Sequence, residues 1–216
     1  MKRRATTFLL AALLVSLTLP APVAGRTPTA PTPHAGMAKQ FAFREAMRKL
    51  WEEHVVWTRQ FVVSAVADLP DKASATERLL QNQADIGDAI KPFYGEAAGQ
   101  KLATLLREHI TVAAELVAAA KAGDKAKSED AGKRWNANAD EIAAFLSAAN
   151  PKAWPAAEMK KMMREHLDLT TAEVVARLRG DWAADVAAYE KIHTQILHMA
   201  DMLSAGIISQ FPQKFE

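Results

Sequence analysis

The stretch that decides the fold is DWAADVAAYEKIHTQILHMADML, residues 181–203 of the 216-residue chain. Its apolar residues recur at alternating steps of three and four, the spacing of one helix face. Extended upstream, the same period gives a seam of Val175, Leu178, Trp182, Val186, Tyr189, Ile196, Ala200 and Leu203. The stretch therefore predicts a long amphipathic helix, and the same period organises the rest of the chain.

Five more helices are predicted upstream from this period and from Gly and Pro breakpoints. Long helices are expected at about 37–69, 96–121 and 125–149. A shorter second helix begins at the capping-box sequence of residues 74–77 and ends near Lys91, before Pro92. A short fifth helix follows Trp154-Pro155, and a capping box at residues 170–173 opens the last long helix, which runs to about 208. No segment alternates like a strand and no internal repeat is evident. The predicted fold is all-α, an up-and-down bundle of four long helices with two shorter helical segments.

The N-terminus has the form of a secretory signal peptide. Lys2, Arg3 and Arg4 form a basic start, residues 8–19 are apolar, and residues 20–25 supply a proline and small side chains for cleavage. The apolar run is too short for a stable membrane span. We therefore expect residues 1–24 to be a cleaved signal peptide and the Pro/Thr-rich residues 25–36 to be a flexible spacer. Residues 37–216 are expected to form a single exported domain without a transmembrane segment, whether secreted, periplasmic or at the cell surface.

Composition excludes several functional classes. The chain has 27 Lys and Arg against 25 Asp and Glu, and removal of residues 1–24 takes away three basic side chains and no acidic one. Without a positive field, nucleic acid and anionic membranes are not expected partners. Cysteine is absent, which excludes disulfides, thiolate metal sites, iron–sulfur clusters and c-type haem. Any metal binding or catalysis must therefore use His, carboxylate, Met or hydroxyl groups.

Polar residues interrupt the apolar seams near the middle of each helix. In an up-and-down bundle the helix midpoints share one height, so these side chains are predicted to meet in a single layer. They are His54, Asn82, His109, Asn138 and His193. Asp85 and Asp185 flank the seams as candidate carboxylates.

Two interpretations of this layer are open. Buried polar groups need partners, and a hydrogen-bonded network that fixes helix register would provide them. A transition metal ion of unknown identity would do the same, because it accepts neutral imidazoles and a carboxylate. In that case the expected ligands are His54, Asp85, His109 and His193, supported by Asn82 and Asn138.

A second candidate site is rich in Met and His. The segments EMKKMMREH (158–166) and HMADM (198–202) place Met and His at helical spacing. Thioether and imidazole suit Cu(I), and one His with one Met suits a non-covalent haem, although Met at this spacing is also common core filler. The residues are Met159, Met162, Met163, His166, His198, Met199 and Met202.

No organised catalytic motif is recognisable. The chain has no Gly-rich phosphate loop, no Gly-x-Ser-x-Gly elbow and no His-Glu-x-x-His sequence. An enzyme is therefore the last of the three functions considered. A protein that binds a small ligand at the polar layer, with a metal ion favoured, comes first, and a non-catalytic structural or interaction protein is the alternative.

Long segments of the chain resemble a family of uncharacterised exported bacterial helical-bundle proteins. They are HVVWTRQF (54–61), RLLQNQADIGDAIKPFYG (78–95), LLREHITVAAELVAAAKAGD (105–124) and DWAADVAAYEKIHTQILHMADMLSAGIISQFPQKF (181–215). Some members of that family carry the labels glycosyltransferase or acetylglutamate kinase. The resemblance implies one helical domain behind a signal peptide, and it brings no functional residues with it.

Overall fold

Six helices and one short turn of 3-10 helix make up the part of the chain that the computed structural model describes, residues 33–216. The helices are α1 (Pro33–Val66), α2 (Lys72–Tyr94), α3 (Glu96–Lys121), α4 (Lys125–Ala149), α5 (Ala156–Arg179) and α6 (Trp182–Gln210), followed by the 3-10 turn (Pro212–Lys214). Within this range there is no strand. The all-α fold class is confirmed, but the two segments predicted to be shorter are also long helices, of 23 and 24 residues.

Each helix packs against the one before it, and α6 packs back against α1. Because the connections are short, successive helices run antiparallel and form three consecutive hairpins, α1–α2, α3–α4 and α5–α6. Helix α1 also touches α3 and α5. The first helices of the three hairpins therefore face one another across the interior.

Several predicted boundaries are wrong. Helix α1 begins at Pro33, inside the predicted spacer, while the predicted signal peptide and the rest of the spacer lie outside the described residues. Helix α2 continues through Pro92 and ends at Tyr94, because a proline near the end of a helix removes only one hydrogen bond and Gly95, at φ 87°, then ends it. The capping box at residues 74–77 opens no helix, because α2 has already begun at Lys72.

The largest correction concerns the last two helices. Residues 170–173 do not begin a helix: Thr170 lies inside α5, where its hydroxyl donates to the carbonyl of His166 at 2.8 Å. Helix α5 ends at Arg179 and is capped by Gly180, which has φ 71°, and α6 then starts after an Asp181 cap. In the first half of α6 the buried face runs through Asp185, Ala188 and Ile192, each one position before the predicted seam, so Trp182 and Val186 are exposed rather than buried.

The buried apolar side chains form two clusters. The larger includes Trp51, Ile86, Leu105, Ile142 and Ile196, and the smaller consists of Phe61, Val62, Leu79, Ile110, Val117 and Val174. Among the described residues, no helix combines the length and apolar character that a membrane crossing requires.

Candidate functional site

Three histidines from the first helices of the three hairpins lie in the core of the bundle. They are His54 on α1, His109 on α3 and His166 on α5, each no more than 5% exposed. The rings of His54 and His166 have centroids 5.8 Å apart, and His109 is close enough to both to lower the proton affinity of the group. We call these three residues the histidine layer.

His109 is fully hydrogen-bonded. Its Nδ1 donates to Oδ1 of Asn138 at 2.9 Å, and its Nε2 accepts from the indole N–H of Trp135 at 3.1 Å. The amide nitrogen of Asn138 in turn donates to the carbonyl of Leu105, one helical turn before His109. These bonds fix one ring tautomer and leave no free nitrogen on His109 in this arrangement.

His166 makes the same contact in the third hairpin. Its Nδ1 donates to Oε1 of Gln195 at 3.1 Å, and the amide nitrogen of Gln195 donates to the carbonyl of Met162. Both histidine–carboxamide pairs are 29 residues apart, and both backbone bonds span 33 residues. The second and third hairpins are thus built alike around their histidines.

The first hairpin has the same residues but not the same bond. Asn82 donates to the carbonyl of Leu50, one turn before His54, as its counterparts do. Gln83 stands 29 residues after His54, yet its Oε1 and the Nδ1 of His54 both lack a hydrogen-bond partner among the described residues. The indole nitrogen of nearby Trp51 is also unpaired there. The unmet polar groups of the layer are therefore concentrated around His54.

This arrangement reveals an internal repeat. The three histidines end the sequences Leu50-Trp-Glu-Glu-His54, Leu105-Leu-Arg-Glu-His109 and Met162-Met-Arg-Glu-His166. An apolar residue, two intervening positions and a Glu-His pair recur at nearly equal intervals, with a carboxamide 28 or 29 residues after each histidine. The expectation of no internal repeat is wrong, and the recurring Glu-His pairs are the signal in the sequence from which the repeat could be predicted.

The predicted polar layer is partly correct. His54, Asn82, His109 and Asn138 are buried and lie where the spacing places them. His193 does not join them: it is half-buried, and its Nε2 contacts Glu52 at 2.9 Å on the surface. Its predicted place is wrong because α6 turns Ile192 and Gln195 inward instead.

The predicted carboxylates also lie outside the layer. Asp85 accepts a hydrogen bond from Gln81 and lies 3.6 Å from Arg78, with a third of its side chain exposed. Asp185 is buried but belongs to a separate ion cluster with Arg59, Arg177 and Glu173. Among the described residues, no three His, Asp or Glu side chains are arranged to hold a metal ion.

The Met- and His-rich segments divide between the inside and the outside of the bundle. Met159, Met163 and Met199 are buried with His166, whereas His198 is exposed. His198 and Met162 line an open groove between α5 and α6. Only part of this predicted set therefore approaches the histidine layer.

Burial controls the charge of the layer. It lowers the pKa of His109 to about 3, and it lowers the pKa of His166 despite the hydrogen bond that this ring donates to Gln195. It also lowers the pKa of His54 well below its usual range, with His166 and His109 adding to the effect and the side chain of Gln83 opposing it. All three imidazoles are thus neutral at pH 7.

No family model, curated protein or solved structure matches the chain.

Proposed function

We propose that this protein is exported and binds one metal ion, Cu(I), between His54 and His166. The observation that carries the proposal is the Nδ1 of His54, which is buried and makes no well-formed hydrogen bond, whereas its counterparts on His109 and His166 are hydrogen-bonded. The side chain of Gln83 lies close enough to act against the lowering of the His54 pKa by burial. A buried polar atom without a partner is unfavourable by about 1–3 kcal/mol. A bound ion would remove that penalty.

The spacing and protonation of the two rings support a shared ligand. With metal–nitrogen bonds of about 2 Å, two imidazoles on one ion have ring centres roughly 5–6 Å apart, and those of His54 and His166 are 5.8 Å apart. Metal binding requires neutral imidazole, which burial supplies here. The bond from His166 to Gln195 is of the kind that orients a ligand histidine and leaves its Nε2 lone pair free.

The charge of the surroundings favours a monovalent ion. Asp85 and Asp185 lie outside the layer, so a divalent cation between two neutral imidazoles would leave two buried positive charges uncompensated. Cu(I) carries one charge, and imidazole and thioether are ligand types suited to copper. Met163, three residues before His166, is also buried and supplies a thioether on that side of α5.

The test is an anaerobic titration of the purified protein with Cu(I) against a chromogenic chelator. We expect uptake of one equivalent, with affinity at least tenfold lower in His54→Gln and His166→Gln. His193→Gln and His198→Gln are matched controls on the outer faces and are expected to bind as the wild type does. Circular dichroism of each variant checks that the fold is retained. Absence of stoichiometric uptake, or wild-type affinity in both inner variants, would rule the site out.

A second function is favoured by the repeated histidine–carboxamide pairs. Because two of the three hairpins satisfy their histidines internally, the layer has the form of a network that fixes helix register in a non-catalytic structural or interaction protein. If this is its only role, the wild type takes up no copper. His54→Leu is then expected to be at least as stable as the wild type, since it removes the unpaired atom and keeps the volume filled.

A further inference from the structure

An apolar cavity of about 170 Å³ lies one helical turn beyond the histidine layer. Thr58, Ala113 and Thr170 line it, each four residues after a layer histidine. The rest of the wall is almost entirely apolar and comes mainly from α1, α3 and α5. The small side chains on these three helices leave the space open at that height.

Four lining residues carry polar side-chain atoms, and in three of them these atoms are engaged elsewhere, while the fourth, Thr171, is exposed. The hydroxyl of Thr58 donates to the carbonyl of His54 at 2.7 Å, and that of Thr170 donates to the carbonyl of His166 at 2.8 Å. The indole N–H of Trp135 donates to His109. A buried water needs two to four polar partners and an ion needs ligands, so neither suits this wall. The chemistry of the cavity favours an uncharged, apolar occupant.

Its size limits the occupant further. Well-packed cores contain few voids larger than a water molecule, and this cavity is much larger than that. Apolar cavities of roughly 150 Å³ stay dry and bind benzene, whereas pockets for drug-sized molecules run from about 300 Å³ upwards. A peptide segment or a helix does not fit. A single aromatic ring or a short branched hydrocarbon does.

The cavity reaches the surface along α5. Thr171 and Val175 line it and are both exposed, Val175 to 37%. Leu116 and Ala120 on α3 also line it and are partly exposed. A small molecule can therefore enter without unfolding of the bundle.

We infer that this cavity is a binding site for a small, uncharged, apolar molecule. None of the proposed copper ligands lines the cavity. The two proposals can therefore be tested independently, because the cavity can bind its ligand even if the protein takes up no copper.

Toluene is the probe for this site, with binding followed by saturation-transfer NMR on the full chain. We expect one saturable site with a dissociation constant below about 1 mM. Benzoate has the same ring with a carboxylate, and burying that charge without a partner is unfavourable. It is expected to bind at least tenfold more weakly than toluene.

Two variants fill the site from different sides. Ala113→Leu places a larger side chain inside the cavity, and Val175→Phe blocks its exposed edge. Both are expected to weaken toluene binding at least tenfold, whereas Ala118→Leu, on the exposed face of α3, is expected to leave it unchanged. Because Val175 is exposed, its variant stays informative if Ala113→Leu fails to fold. The inference is overturned if the wild type shows no saturable binding, if benzoate binds as well as toluene, if Val175→Phe retains wild-type affinity, or if Ala118→Leu loses it equally.

Discussion

His109 and Asn138 join α3 to α4 by a reciprocal contact, in which the ring Nδ1–H donates to the side-chain carbonyl and the amide donates back to Leu105 on the helix of the histidine. The distances are 2.9 and 3.1 Å, and both side chains are 3% exposed. The contact satisfies the polar groups of both residues and holds one helix in a single register relative to the other.

Replacing Asn138 by Ala is therefore expected to be strongly destabilising. It leaves the Nδ1 of His109 buried without a partner, so we expect the free energy of unfolding to fall by about 2–3 kcal/mol in urea titrations. Asn136→Ala, on the same helix but only half-buried, is the matched control and is expected to lose less than about 1 kcal/mol. Equal losses in the two variants would show that the contact does not contribute as described.

Stability is expected to decrease as the pH falls from about 6.5 to 4.5. The pKa values of His54, His109 and His166 are lowered by burial, so below about pH 6.5 the unfolded chain binds more protons than the folded one. Burial raises the pKa of Glu173 to about 7, against the lowering effect of Arg59. Between about pH 7 and 4.5, Glu173 therefore makes a contribution to stability that increases as the pH falls. Three histidines against one carboxyl give a net loss on acidification.

Glu173→Gln separates the two contributions. Glutamine does not titrate, so the variant loses the opposing effect, and its stability is expected to fall more steeply with acid than that of the wild type. Urea titrations of both proteins at several pH values between 7.5 and 4.5 measure this. A wild type that becomes more stable on acidification would contradict the assignment of neutral buried histidines.

Gly87 lies at a close approach of α2 to α3. A Cβ at this position would lie 2.6 Å from the carbonyl oxygen of Gly99 and 2.7 Å from the Cβ of Ala103, and neither helix backbone can move away easily. We expect Gly87→Ala to lower the free energy of unfolding by about 2–3 kcal/mol. Gly132→Ala has open space around its new Cβ and is expected to raise it by about 0.5–1 kcal/mol. Thermal or urea unfolding of the two variants should thus shift in opposite directions.

Arg59 joins three helices through a buried ion cluster. It contacts Glu173 at 2.5 Å and Asp185 at 2.9 Å, and both carboxylates are almost completely buried. Arg59→Met keeps the length of the side chain but leaves only Arg177 to balance them, so we expect a loss of about 3 kcal/mol. The exposed pair of Arg48 and Asp201 provides the control, because Arg48→Met should change the unfolding midpoint very little. Similar shifts in both variants would contradict the assigned role of burial.

Much of the fold could be predicted because helix formation is governed locally. The three- and four-residue period and the breakpoints at Gly95, Gly123 and Asn150 identify most of the helices, and in α1 and α3 the period also gives the buried face. This is why His54 and His109 were placed correctly. The prediction for His193 is wrong because the buried face in the first half of α6 runs through Asp185, Ala188 and Ile192, one position before the predicted seam. The period does not give the rotation of this helix against its neighbours.

The sequence by itself thus determined the helices, the apolar seams and the presence of polar residues within them. Only the tertiary structure decided that His166 rather than His193 completes the layer, that two histidines are satisfied while His54 is not, and that a cavity opens beyond them. The physical reason is that a helix face follows from hydrogen bonding over four residues. Which faces meet, and how closely, depends on the rotation of six helices packed together.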